Sequence, residues 1–99
     1  MAFLNNTRNL QIKGRLYSGN VSETQEKLEY ALEVFNTIEI NLSEIEVVDI
    51  AGVFMLYLML CKAKEKNKKI VFTGLDNPIL HNALYIAGLH NAFHPAAAA

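Results

Sequence analysis

The chain has 99 residues, 52% of them hydrophobic and 19% charged, with a formal net charge of -1. That length leaves room for one domain, and the composition suits a packed core rather than a disordered or fibrous segment. The near-neutral balance argues against the basic, counterion-releasing surface that nucleic-acid binding needs.

A single cysteine, Cys61, cannot form an internal disulfide, and no zinc-type spacing surrounds it, so a reducing compartment and a cytoplasmic location are expected. The first residues show no positively charged region ahead of an apolar stretch, which argues against a secretory signal. The uncharged run Ile50 to Cys61 is well short of the ~20 residues that a membrane span requires, and reads as a buried helix without membrane insertion. Charge is uneven: residues 1–50 carry 4 basic and 8 acidic side chains, and residues 51–99 carry 5 basic and 2 acidic. Such runs are read first as solvated helix faces.

In chain order, Leu10 and Ile12 alternate with Gln11 and Lys13 until the phase breaks at Gly14, predicting a strand that bends or ends there. Ser22 followed by Gln25 matches a capping box and predicts a helix start. Leu28, Ala31, Leu32 and Phe35 then form one apolar stripe, which takes that helix to about Phe35. Ile38 to Leu42 alternates with period two, predicting a central strand that Ile45, Val47 and Val48 prolong towards Asp49. From Ala51 the pattern is helical and apolar almost all round, so this helix should be covered on more than one side.

Lys68 to Gly74 reads as a short buried strand. Asp76 or Asn77 then caps a helix with Pro78 in its first turn, an apolar face of Ile79, Leu80, Ala83, Leu84 and Ile86, and a left-handed stop at Gly88. Alternating strands and helices define an α/β domain over residues 1–95. The alanine run 96–99 is low-complexity and is set aside as foreign to the domain.

Chemistry is sparse. His81, His90 and His94 read as ordinary surface or partly packed histidines rather than metal ligands, because Gly88 and Pro95 break any shared helix face. Cys61, among Leu58, Met59 and Leu60, reads as a small core hydrophobe. No phosphate loop, dinucleotide fingerprint or nucleophile elbow occurs, so no cofactor, metal or catalytic residue is expected. The glycosylation triplets at Asn5, Asn20 and Asn41 matter only in a secreted chain. One short segment stands out: Asp49 would place its carboxylate on the free amides at the start of the apolar helix, and Gly52 would allow close backbone approach.

The string Ile40-Asn-Leu-Ser-Glu-Ile-Glu-Val-Val-Asp-Ile-Ala-Gly-Val-Phe-Met-Leu resembles the central signature of STAS domains, the family of bacterial anti-sigma factor antagonists and of sulfate-transporter tails. Gly14-Arg-Leu-Tyr, Ile70-Val-Phe-Thr-Gly-Leu and Ala87-Gly-Leu-His-Asn-Ala-Phe extend the likeness over about residues 8 to 94. The resemblance implies a small sheet of four or five strands, mixed in direction, with helices mainly on one side. The last helix is the least defined element, because the family's final strand and helix have no room after Phe93.

The family's phosphoacceptor Ser or Thr falls at Ile50, which has no hydroxyl, and Ala51 removes a second one. The usual phospho-switch at this position is therefore not expected. Asp49 and Gly52 match the family's partner-binding positions. With Ile50, Ala51, Phe54, Met55 and Leu58 they form the expected partner-binding surface, because Phe54, Met55, Tyr57, Leu58 and Met59 cannot all enter one small core. The resemblance thus implies a non-catalytic, anti-sigma-antagonist-like regulator that docks on a GHKL-type kinase or anti-sigma factor. The alternatives are the STAS subunit of an Mla-type phospholipid ABC transport system, clamping its ATPase, and a small-ligand sensor with a pocket between sheet and apolar helix. A second copy of the chain stands as a further partner. Phosphorylation at Ser18, Ser22 or Ser43 is left open by the sequence.

Overall fold

A computed structural model describes residues 6–93. Five strands and four helices follow in the order β1 (Thr7–Gln11), β2 (Gly14–Leu16), α1 (Val21–Val34), β3 (Thr37–Asn41), β4 (Ile45–Val48), α2 (Ile50–Glu65), β5 (Lys69–Thr73), α3 (Pro78–Ile86) and α4 (His90–Phe93). The α/β class is as the sequence predicts. Every strand pairing among the described residues is parallel, in a three-stranded sheet β1-β3-β5 and a two-stranded sheet β2-β4. The mixed strand direction implied by the resemblance is not seen within this span.

The two sheets are one parallel ladder broken by a bend. The segment β1–β2 runs beside β3–β4, and both bend at corresponding places. Gly14, at φ 76°, takes the left-handed conformation open to glycine at little cost, and its N–H donates to the carbonyl of Glu44. Opposite it, Leu42 to Glu44 interrupt the other strand. Pairing resumes with a register irregularity between Gly14 and Arg15. After this break β4 leads through Asp49 directly into α2.

The alternation predicted for β3 places Ile38 and Ile40 fully buried on one face and leaves Glu39 exposed on the other. The helices therefore cover one face of the central strand. Leu28, Ala31 and Leu32 of α1 and Val53, Met55, Leu56, Met59 and Ala63 of α2 join that core, together with Leu16, Leu42, Ile45, Leu80, Leu84 and Phe93. Strand β5 is an edge among the described residues, half-buried rather than buried as predicted, because only β3 pairs with it.

Two further local expectations need correction. The Ser22–Gln25 capping box does not form: α1 begins at Val21 with Asn20 as its cap residue and no side-chain capping bond. Asn20 instead uses its side chain on the preceding turn, accepting from the Tyr17 N–H and donating to the Arg15 carbonyl. Gln25 turns to Glu29, whose carboxylate also pairs with Lys62 of α2. At the other end of α1, the carbonyls of Leu32 and Phe35 accept from Lys68 Nζ, a cation at a helix C-terminus.

The apolar face predicted for α3 splits in two. Leu80 and Leu84 are buried, whereas Ile79 and Ile86 lie at 44% and 76% exposure. The five apolar positions cover too wide an arc for one core contact, and Ile79, Ala83 and Ile86, at spacings of four and three, form a second stripe towards α2. The stop at Gly88 is as predicted, with φ 76°. Beyond it α4 turns back, and the Phe93 ring stacks on Phe72 at 4.9 Å.

Asn77, not Asp76, caps α3, its side-chain oxygen accepting from the Ile79 N–H at 3.0 Å. Its amide group reaches across to the bend between β3 and β4, donating to the carbonyls of Leu42, Ser43 and Ile45 at 3.1, 3.2 and 2.9 Å. One buried side chain thus ties the start of α3 to the bend that precedes β4.

Candidate functional site

Val48 ends β4, and Asp49 takes an extended backbone that turns the chain into α2. The Asp49 carboxylate satisfies two amides from different elements. One oxygen accepts from Gly52 N–H at 3.0 Å, the expected helix cap, and the other from Ser18 N–H at 3.0 Å in the loop between β2 and α1. These backbone donors, Gly52 first and then Ser18, hold the carboxyl below its ordinary range. A carboxylate stabilised in the folded state contributes stability that is present above its unfolded pKa and lost as pH falls through its folded pKa. Asp49→Asn should therefore flatten the acid limb of a pH–stability profile, and thermal melts from neutral pH down to pH ~3 check this.

Gly52 is buried where α2 crosses β2. A Cβ there would meet the Leu16 carbonyl oxygen at 2.7 Å and Leu16 Cγ at 2.9 Å. Close approach, rather than backbone conformation, is what glycine supplies. Gly52→Ala should cost about 1–2 kcal/mol, the strain exceeding its gain in helix propensity, as denaturant unfolding would measure.

The sequence-selected residues divide by burial. Ile50, Phe54 and Leu58 are exposed at 55%, 49% and 43%, and at spacings of four they form one outward stripe along α2, with Tyr57 beside it. Ala51 is half-buried. Met55 belongs to the core at 4% exposure, and Met59 is fully buried. The expectation that Met55 contributes to a contact surface is thus corrected. An all-apolar helix gives no sequence signal for which side the core takes, and the packing selects the side bearing Val53, Met55, Leu56 and Met59.

Beside the exposed stripe lies an open groove of about 560 Å³ between the start of α2 and α3. Ile50 and Val53 form one wall and Ile79, Ala83 and Ile86 the other, with Asp49 and Asn82 at its polar edge. The contribution of α3 was missed in the sequence because Ile79 and Ile86 read as core. The excess width of that apolar face was the available signal.

No cluster of three or more His, Cys, Asp or Glu suited to a metal occurs among the described residues. The described parts of the histidine set do meet: His81 and His90 lie with ring centroids 5.1 Å apart, edge to face, because α4 folds back past Gly88. His94 and the alanine run lie outside the described residues. Cys61 is half-buried rather than a core residue, and Ser18, Ser22 and Ser43 are exposed.

Five strands and four helices in one small α/β domain match the fold of a STAS domain. A family model described as "Mlab, STAS domain" matches residues 2–94, and the chain belongs to this STAS family. A crystal structure of a sulfate transporter family protein from Wolinella succinogenes is similar in fold, with a TM-score of 0.72 and 17% identity over 94% of this chain and 75% of that one. No curated protein matches the chain. As STAS domains are interaction modules, the general class is a regulatory or interaction domain. No helix among the described residues is long and apolar enough to cross a membrane.

Proposed function

We propose that this domain is a non-catalytic docking module that binds a protein partner through the start of α2 and the adjoining face of α3, without a phospho-switch at position 50. The observation that carries this is the exposed stripe of Ile50, Phe54 and Leu58 along α2, beside the groove that Ile50, Ile79 and Ile86 line. Isolated exposed apolar residues are ordinary, but a clustered set beside a groove marks a contact surface. Asp49 acts there through the backbone. By bridging Ser18 and Gly52 it fixes the angle at which Ile50 and Ala51 are offered.

With isoleucine in place of the hydroxyl residue, the surface stays apolar and uncharged, and docking is constitutive with respect to this position. Two partner classes fit such a module: a GHKL-type kinase or anti-sigma factor, as for an antagonist-like regulator, or the ATPase of an Mla-type phospholipid ABC system. The description of the matching family model favours the ATPase. A cytoplasmic setting is consistent with either partner. Capture from host lysate by wild type and by Phe54→Asp, with bound proteins identified by mass spectrometry, tests the proposal. Recovery of an ABC ATPase by wild type alone supports the transport reading, and recovery of a GHKL-type protein supports the regulator. Equal recovery by both variants would place the contact elsewhere. Incubation of the wild type with a captured kinase and ATP should leave capture undiminished, and a phosphate added at Ser18, Ser22 or Ser43 that abolishes capture would refute constitutive docking.

A further inference from the structure

We propose that the carboxyl-terminal half of α2 carries a binding site for a small amphipathic anion, an aliphatic or aryl chain ending in a carboxylate. A cavity of about 450 Å³ lies between α2, β5 and α4, within the size range of small-molecule sites, about 300–1,000 Å³. Its walls are apolar where Leu60, Ala63, Ile70 and Ala92 meet. Three cations, Lys64, Lys68 and Lys69, line it with no carboxylate among the lining residues.

The three lysines are not equivalent. Lys68 Nζ is held by the carbonyls at the end of α1, so its charge is fixed in place. Lys64 and Lys69 are exposed and make no ion pair among the described residues, where the glutamate-rich face of α1 reaches only Lys62, through Glu29. Two exposed ammonium groups beside an apolar cleft match a ligand with one charged end and one apolar end. Tyr57 and Asn91 add polar side chains to the lining. A purely apolar ligand leaves the lysines unused, and a fully hydrated anion leaves the apolar walls unused. A single-chain carboxylate satisfies both. This site adjoins the docking stripe at Tyr57 but shares none of Ile50, Phe54, Leu58, Ile79 or Ile86 with it, and its test does not depend on any partner.

Cys61, the only cysteine, lines the same cavity and reports its occupancy. The probe is decanoate, kept well below its micelle-forming concentration, with decanol as the uncharged control. Rates of Cys61 alkylation by iodoacetamide are followed by intact mass, and affinity by calorimetry. Decanoate is expected to slow alkylation saturably and to bind about tenfold more tightly than decanol, the worth of one charge-assisted contact. Lys64→Ala with Lys69→Ala should remove that preference while leaving decanol binding unchanged. Ala92→Trp, an exposed position at the cavity, should block both ligands without touching the core. Equal binding of decanoate and decanol by wild type, or failure of decanoate to protect Cys61, overturns the proposal. So does binding seen only with phosphatidylglycerol vesicles and unaffected by Ala92→Trp, which would assign the lysines to a membrane surface.

Discussion

Asn77→Ala is expected to lower the unfolding free energy by about 3 kcal/mol and the melting temperature by about 10–20 °C. The substitution removes a nearly fully buried amide that caps α3 and donates to three carbonyls in the bend between β3 and β4. Those carbonyls are not equally dependent on it. Leu42 O also accepts from Ile45 N–H, so the greater loss falls on Ile45 O and on the free Ile79 amide.

Asn77→Asp separates the two roles, since an aspartate retains the cap but points a carboxylate at the carbonyl oxygens. Its folded-state pKa is raised by burial and by those dipoles, so stability is retained below the unfolded pKa and lost as pH rises through the folded one. Asn77→Asp should therefore be less stable than Asn77→Ala at neutral pH and recover in acid. Denaturant unfolding at the two pH values decides. Equal stability of wild type and Asn77→Ala would mean that the bend holds itself.

Phe54→Asp is expected to weaken partner binding at least about thirtyfold, the effect of losing an interface anchor of about 2 kcal/mol, while stability changes by less than about 0.5 kcal/mol. Phe54 is half-exposed on the outward stripe of α2, and its replacement opens no cavity in the core. An aspartate there must be desolvated against an apolar partner, which costs free energy unless it finds a cation. Met55→Asp is the informative contrast, because Met55 is buried and its substitution should unfold the domain rather than disable docking. Asp49 makes a poorer probe of the contact than Phe54, since its carboxylate is used internally on Ser18 and Gly52.

Much of this architecture can be read from residue order. The alternation at Ile38 and Ile40, the all-apolar run of α2, Pro78 and the stop at Gly88 each encode their element locally, and the short motifs around Asp49 carry the family resemblance. What could not be read depends on contacts distant in sequence. Asn77 looks like a plain cap, because its carbonyl partners lie 32 to 35 residues away. Ser22 and Gln25 have the residue types of a capping box, but Asn20 lies closer to the turn and begins the helix there. The burial of Met55 against the exposure of Phe54 follows from where the sheet sits, which no periodicity in an all-apolar helix can state. The groove likewise needs α3 beside α2, and Ile79 and Ile86 acquire their role only in that packing.

The most direct test of docking is hydrogen exchange of the domain, alone and with its captured partner. Slowed exchange at residues 48–58 and 79–86, with β1 and the exposed face around Glu39 unchanged, is the predicted result. Protection confined to β1 and β3, with the start of α2 exchanging as in the free domain, would contradict it.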